Sequence, residues 1–335
     1  MPVQSIGSPL LWAGFLVFVL AMLAIDLGVF HRKTHAVGLK EAALWSGVWV
    51  LLAGAFGAGV YAFFGEQRGL EFAAGYLLEK ALAVDNIFVF VVIFSTFAIP
   101  AAMQHRVLFW GVLGALVLRA GFIVAGAALL QRFHWTIYVF GAVLIVTGWK
   151  LLVQRHEEVH PDRNPVVRLF RRFFPVTKDL DGDRFLVRRD GRRYATPLLV
   201  ALVAVEVTDV VFAMDSIPAI FAVTSDPFIV FTSNIFAILG LRSMYFLLAG
   251  VITRFAYLKI GLSVVLLFVG AKMLLMDVLK VPIGVSLGVI AGVLGTSIAA
   301  SWLWPPAEAR AQERHLSQVP RRPAETGPAA DVSGN

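Results

Sequence analysis

Between Leu10 and Trp304 the chain runs in apolar blocks of about 20 residues separated by short polar connections, and a helix of that length crosses the hydrocarbon core of a bilayer. Within a bilayer such a block must satisfy its own backbone polar groups, which a helix does and a lone strand does not. The sequence therefore predicts an all-α, polytopic membrane protein. A chain that is 59% hydrophobic and 15% charged is too apolar for a soluble globule. Nine blocks can be drawn as spans: Leu10 to Phe30, Glu41 to Phe64, Leu70 to Phe94, Gln104 to Leu129, Trp135 to Val153, Pro197 to Phe221, Phe228 to Ile252, Leu258 to Val278 and Pro282 to Trp304. The first has no basic residue before it and no clear small-residue cleavage site after a short core, so it reads as a retained helix.

Lysine and arginine counts orient these spans. Taken alternately, the connections and tail on one side hold 21 basic residues and those on the other hold 3. The expectation is a multi-pass protein of the inner (cytoplasmic) membrane with its N-terminus outside and its C-terminus in the cytoplasm. The net charge of +7 is thus topological, and no nucleic-acid partner is expected. Two stretches stand apart from the bilayer. The basic connection of residues 154–195 is either a solvated loop near anionic lipid or, where Asp190-Gly191 sits between apolar-tipped flanks, a short hairpin. The tail after Trp304, rich in Pro, Ala, Arg and Glu, reads as disordered.

An internal repeat organises the interior. Glu79 and Asp85-Asn86 match Asp209 and Asp215-Ser216 at the same six-residue step; Leu118-Arg119 then matches Leu241-Arg242, and Gly148-Trp149-Lys150 matches Gly270-Ala271-Lys272. Each unit contains three spans, an odd number, so consecutive units must be inverted relative to one another. That arrangement places a substrate site near the midplane in many secondary transporters. The resulting division is residues 1–64 (two N-terminal spans), 65–153 (first repeat), 154–195 (basic loop), 196–280 (second repeat), 281–304 (last span) and 305–335 (tail).

Carboxylates at bilayer depth are costly, by about 2.5–3.5 kcal/mol each on insertion scales, and imply a compensating role such as cation binding. Glu79, Asp85, Asn86, Asp209, Asp215 and Ser216 are the candidate metal ligands. Asp26, Glu206 and Met214 are additional candidates, Met214 more simply a packing residue. Thr208 offers a further hydroxyl. On a regular helix Asp209 and Asp215 lie about 9 Å apart along the axis and roughly 120° around it, so sharing one ion requires the helix to open. Pro218, which leaves the Met214 carbonyl without a donor, makes an opening near Asp215 the expectation. Lys80, Arg119 and Arg242 are read as compensating charges, Lys80 needing a partner other than adjacent Glu79; Lys150 and Lys272 lie near helix ends and can snorkel. An all-oxygen donor set suits Mg, Ca or Mn, and the lack of cysteine removes thiolate sites. No catalytic residue and no resident cofactor is expected.

The strings Gly75-Tyr76-Leu77-Leu78-Glu79-Lys80 through Val84-Asp85-Asn86-Ile87-Phe88, Asp190-Gly191-Arg192-Arg193-Tyr194-Ala195-Thr196-Pro197, Ala213-Met214-Asp215-Ser216-Ile217-Pro218 and Thr232-Ser233-Asn234 through Gly240-Leu241-Arg242 resemble the TerC tellurium-resistance family, and its Alx branch in particular. Ala81-Leu82-Ala83 stands where that family usually has Ser-Leu-Ser, which removes two hydroxyls and leaves the acids. The resemblance implies an integral membrane protein exporting manganese, with Mn(II) as substrate. Without an ATP-binding loop, exchange with protons is the expected coupling. Two other readings differ in class. A membrane partner protein supporting metal loading or assembly under metal or tellurite stress would use the basic loop, and its acids would be structural. An intramembrane aspartyl protease would need a Gly-x-Gly-Asp string, which is absent.

Overall fold

The computed structural model describes residues 5–30, 38–153, 164–177, 179–189, 191–249 and 256–304, of which 26–30, 165 and 256 are described by backbone alone. The Asp26 side chain and the tail after Trp304 therefore lie outside the described parts. The elements are α1 (Pro9–Phe30), α2 (Leu39–Phe64), α3 (Glu66–Thr96), α4 (Ala101–Arg132), α5 (Thr136–Val153), α6 (Pro165–Phe173), β1 (Leu186–Arg189), β2 (Arg192–Ala195), α7 (Pro197–Phe221), α8 (Pro227–Leu239), α9 (Leu241–Leu248), α10 (Ala256–Leu274) and α11 (Ile283–Leu303). Among the described residues six helices are long and apolar enough to span a membrane, and the α8–α9 pair makes a seventh. The 31-residue α3, about 46 Å long, exceeds the span length, although Glu79, Lys80 and Asp85 lower its hydropathy.

The ends of these helices are written in the sequence. Gly65, at φ +90°, separates α2 from α3. Asp226 caps α8 by accepting a hydrogen bond from Phe228 N at 2.9 Å, with Pro227 in the first turn. The block expected as one helix from Phe228 to Ile252 instead bends by 41° between α8 and α9. The break falls at Gly240, where a Cβ would stand 2.7 Å from Lys80 Nζ and 3.2 Å from Trp49 Cβ.

Helix packing rests on close apolar contact, because lipid tails compete for any purely hydrophobic gain. Phe15, Phe18, Phe56, Phe72, Phe228 and Phe236 interlock α1, α2, α3 and α8. The most intimate pair is α5 with α10. There Gly141 and Gly270 let the backbones meet: a Cβ on Gly270 would lie 2.9 Å from the Gly141 carbonyl oxygen. Next come α10 against α11, α3 against α8 and α4 against α7.

The basic connection contains more than a loop. β1 and β2 form the antiparallel hairpin, with Arg189 opposite Arg192 and Gly191 at φ +75° in the turn between them. The preceding helix α6 is not anticipated from the sequence; Asn164 caps it by accepting from Val166 N at 2.9 Å.

Candidate functional site

The acids of the two repeats separate into two groups by helical phase. Residues seven apart on a helix share a face, lying roughly 10 Å apart along the axis and about 20° around it. Glu79 and Asn86 are such a pair on α3, and Asp209 and Ser216 are such a pair on α7; all four are buried. Glu79, Asp209 and Ser216 turn inward, toward Arg119 of α4, while no contact of Asn86 with that arginine is seen among the described residues.

At their meeting point stands Arg119 of α4, 2% exposed. Its Nη1 donates to Glu79 Oε2 at 2.7 Å and to Ser216 Oγ at 3.2 Å. Its Nη2 and Nε donate to the two Asp209 carboxylate oxygens at 3.3 and 3.5 Å. Asn234 Oδ1 of α8 completes the group at 3.5 Å from Nη1. One guanidinium thus bridges carboxylates from both repeats, an arrangement that the planar, many-donor fork of arginine suits and a lysine would not reproduce.

Asn234 is not among the candidates that the sequence singles out, although it sits in Thr232-Ser233-Asn234, a polar triplet inside an apolar block. Thr232 and Ser233 donate to carbonyls four residues back, at 2.8 and 2.6 Å. Only the asparagine reaches the site.

Several acceptors here lack a hydrogen bond of normal geometry among the described residues: Glu79 Oε1, Asn86 Oδ1 and Glu206 Oε2. Glu206, three residues before Asp209 and half-buried, lies over Gly114 of α4, where any Cβ would collide with its carboxyl group. Glu79, Asp209 and Glu206 against Arg119 give a local excess of two negative charges when all are ionised. Among the described residues no three His, Asp or Glu side chains form a ready metal-ligand cluster.

Asp85 and Asp215 point elsewhere. Six residues from Glu79 and Asp209, they are rotated by the roughly 120° expected of a regular helix. Asp215 accepts from Thr147 Oγ1 of α5 at 2.8 Å and lies in the field of Lys150. Asp85 lies in the field of Lys259 of α10. Each therefore faces the third helix of the other repeat. The opening expected at Pro218 is not seen: α7 continues unbroken from Pro197 to Phe221. Only the last turn follows Pro218, and the helix carries past the Met214 carbonyl that loses its donor, with Ala222 N donating to the Pro218 carbonyl at 3.1 Å. Met214 is 61% exposed on the surface of α7.

Lys80 finds its partner far along the chain. Its Nζ lies 3.4 Å from the Ala237 carbonyl, at the C-terminal end of α8, and 5.8 Å from the centre of the Tyr76 ring. A cation complements the negative end of a helix dipole, so the break at Gly240 and the lysine account for one another. Arg242, the counterpart of Arg119, is buried in α9. A second polar cluster, unforeseen from sequence, lies where α3 and α8 begin. Asp226 accepts from Ser5 Oγ and Ile6 N, each at 2.8 Å; Glu71 accepts from Arg68 at 2.9 Å and Thr224 at 2.6 Å.

Comparison with known proteins places this architecture. Residues 64–309 match the model of the integral membrane protein TerC family. A Myxococcus xanthus protein named "Uncharacterized membrane protein STKORF319" is 64% identical over 297 residues, covering 89% of this chain and 93% of that one. An Escherichia coli (strain K12) protein named "Putative membrane-bound redox modulator Alx" is 51% identical over 310 residues, 90% of this chain and 97% of that one. A Rickettsia felis membrane protein is 40% identical over 290 residues, 87% and 96% of the two chains. No solved structure matches. With the family model covering most of the chain and relatives aligned across nearly their full lengths, the protein belongs to the integral membrane protein TerC family, on the Alx-like branch.

Proposed function

We propose that this protein is a secondary transporter that exports Mn(II) across the cytoplasmic membrane in exchange for protons, through the Glu79–Arg119–Asp209 centre between two inverted repeats. The observation that carries this reading is the convergence of one buried acid from each repeat on a single guanidinium, beside buried oxygens that lack a well-formed hydrogen bond. Structural compensation alone would require one acid per arginine; here the acids exceed it. A divalent cation can take one oxygen each from Glu79 and Asp209, with neutral donors from Ser216 and Asn234, if Arg119 yields its place. Protons compete for the same carboxylate oxygens and return the site to its starting charge. Hard oxygen donors favour Mn, Mg or Ca over soft ions, and the family resemblance favours Mn.

The helix pairings support the repeat. A two-fold relation exchanging α3 with α7 and α4 with α8–α9 would pair α3 with α8 and α4 with α7, and would pair α5 with α10; these are three of the four most extensive pairings, α10 with α11 being the other. The excess of basic residues on one side supports an external N-terminus and a cytoplasmic loop. The name carried by the Alx relatives speaks of redox; this chain has no cysteine, so a redox role would not pass through thiols of its own.

The test is Mn(II) uptake into sealed proteoliposomes across a panel of divalent ions and imposed pH gradients. Mn(II) flux driven by an opposing proton gradient, and lost in Glu79→Gln and Asp209→Asn, is expected. Flux unaffected by both substitutions, or absent for every divalent ion in correctly folded protein, would refute the proposal.

A further inference from the structure

Helix α6 poses a problem that the transport site does not address. It lies outside the spans, yet Val166, Leu169 and Phe173 form one face at i, i+3 and i+7 and are 44%, 53% and 72% exposed. Its opposite flank is anchored. Val167 is fully buried, α6 packs against α7, and the Arg171 guanidinium sits 5.4 Å from the centre of the Phe97 ring. Arg171 lines a shared hollow with Thr96, Phe97 and Pro197, the end of α3 and the start of α7. The helix is thus held beside the end of α3 and the start of α7, with an apolar stripe uncovered among the described residues.

The surrounding charge is predominantly positive. On α6 Arg172 borders the stripe and Arg168 lies further round the helix, both exposed. On the adjoining hairpin Arg188 faces Arg193 and Arg189 faces Arg192, and all four are exposed. Among the described acids of this segment Asp183 is paired with Arg106, Asp181 stands 4.0 Å from Arg189 and Asp179 is exposed, so the described arginines outnumber the described acids beside them. Like charges directly opposite one another destabilise a strand pair unless an anion lies between or over them. The hairpin is tied to the segment after α6, since Thr177 N donates to the Ala195 carbonyl at 2.9 Å. An apolar stripe bordered by arginines is the pattern of a helix lying in a membrane interface, and clustered basic residues at that depth favour anionic headgroups.

We propose that α6 and the β1–β2 hairpin form a membrane-surface element, with Val166, Leu169 and Phe173 seated among the acyl chains and the arginines binding the phosphates of anionic phospholipid. The occupant is the leaflet into which α3 and α7 already run. Neither a second copy of the chain nor a soluble partner has a comparable reason to be at that level.

Because the chain contains no cysteine, Phe173→Cys allows a single bimane label on the full-length protein. The labelled protein is placed in phosphatidylcholine nanodiscs with and without phosphatidylglycerol, each containing a lipid with a nitroxide near the headgroup. Expected is strong quenching in the phosphatidylglycerol discs, several-fold weaker quenching in phosphatidylcholine alone, and loss of the difference in Arg168→Gln/Arg172→Gln or at molar salt. Bimane emission typical of water in both discs would overturn the proposal. Blue-shifted emission without lipid quenching would assign the stripe to a protein contact, and equal quenching in both discs would remove the anionic recognition; either overturns it.

Discussion

Replacing Arg119 by glutamine tests the buried centre directly. The substitution keeps the length of the first part of the side chain but removes the charge and the donors on two carboxylates that are 1% and 2% exposed. In the native protein Nη1 meets Glu79 at 2.7 Å and Nη2 meets Asp209 at 3.3 Å. Breaking a buried pair by removing one partner costs about 3–5 kcal/mol, and a midpoint shift of roughly 2 °C per kcal/mol for a chain of this size gives about 6–10 °C. The informative comparison is Arg119→Gln/Glu79→Gln, which restores the local charge balance. If the arginine compensates charge, the double variant is more stable than Arg119→Gln alone by about 2 kcal/mol or more, a coupling that a double-mutant cycle isolates. The assay is thermal unfolding of purified protein in detergent, with abundance in membranes as a second readout. Wild-type stability in Arg119→Gln, or additive losses in the double variant, would refute the account.

Three further outcomes follow from particular contacts. Glu79→Gln and Asp209→Asn should each abolish most Mn(II) flux in proteoliposomes, and the double variant should be little worse, because residues acting on one ion give non-additive losses; two half-active single variants would separate the sites. Asp215→Asn should spare more flux than Asp209→Asn and should be mimicked by Thr147→Val, since Asp215 bonds to Thr147 and not to Arg119; equal loss in Asp215→Asn and Asp209→Asn would bring Asp215 back into the central shell. Gly270→Val should lower the unfolding midpoint and the folded yield, because its Cβ would meet the Gly141 carbonyl oxygen at 2.9 Å and backbone cannot rotate aside as a side chain can; unchanged stability would mean that α5 and α10 can part at little cost.

Much of the architecture is legible along the chain, because the bilayer imposes it locally. Block length and apolarity mark the spans without reference to their neighbours, and Asp226-Pro227 announces the start of α8 as Asp190-Gly191 announces the hairpin turn. The recurrence of an acid, a second acid or its counterpart six residues on, an arginine and a lysine is also a property of order alone. Helix α6 is within reach of the same reasoning, since Val166, Leu169 and Phe173 are spaced three and four apart, but the basic residues around them mask the period.

Which acids meet is a different kind of fact. A step of six residues states that Glu79 and Asp85 face different ways, as do Asp209 and Asp215, but not which member of each pair turns inward. Only the packing of α3 and α7 against α4 settles that, by bringing Arg119 to Glu79 and Asp209 and leaving Asp85 and Asp215 to α10 and α5. The partner of Lys80 lies 157 residues away, near the end of α8, where a Cβ on Gly240 would crowd the lysine and Trp49. The surrounding solvent, the spans and the inventory of buried charges can be read residue by residue, since each follows from local composition. How those charges pair cannot, because pairing depends on the rotation of each helix about its axis, and that rotation is set by contacts between segments far apart in the chain.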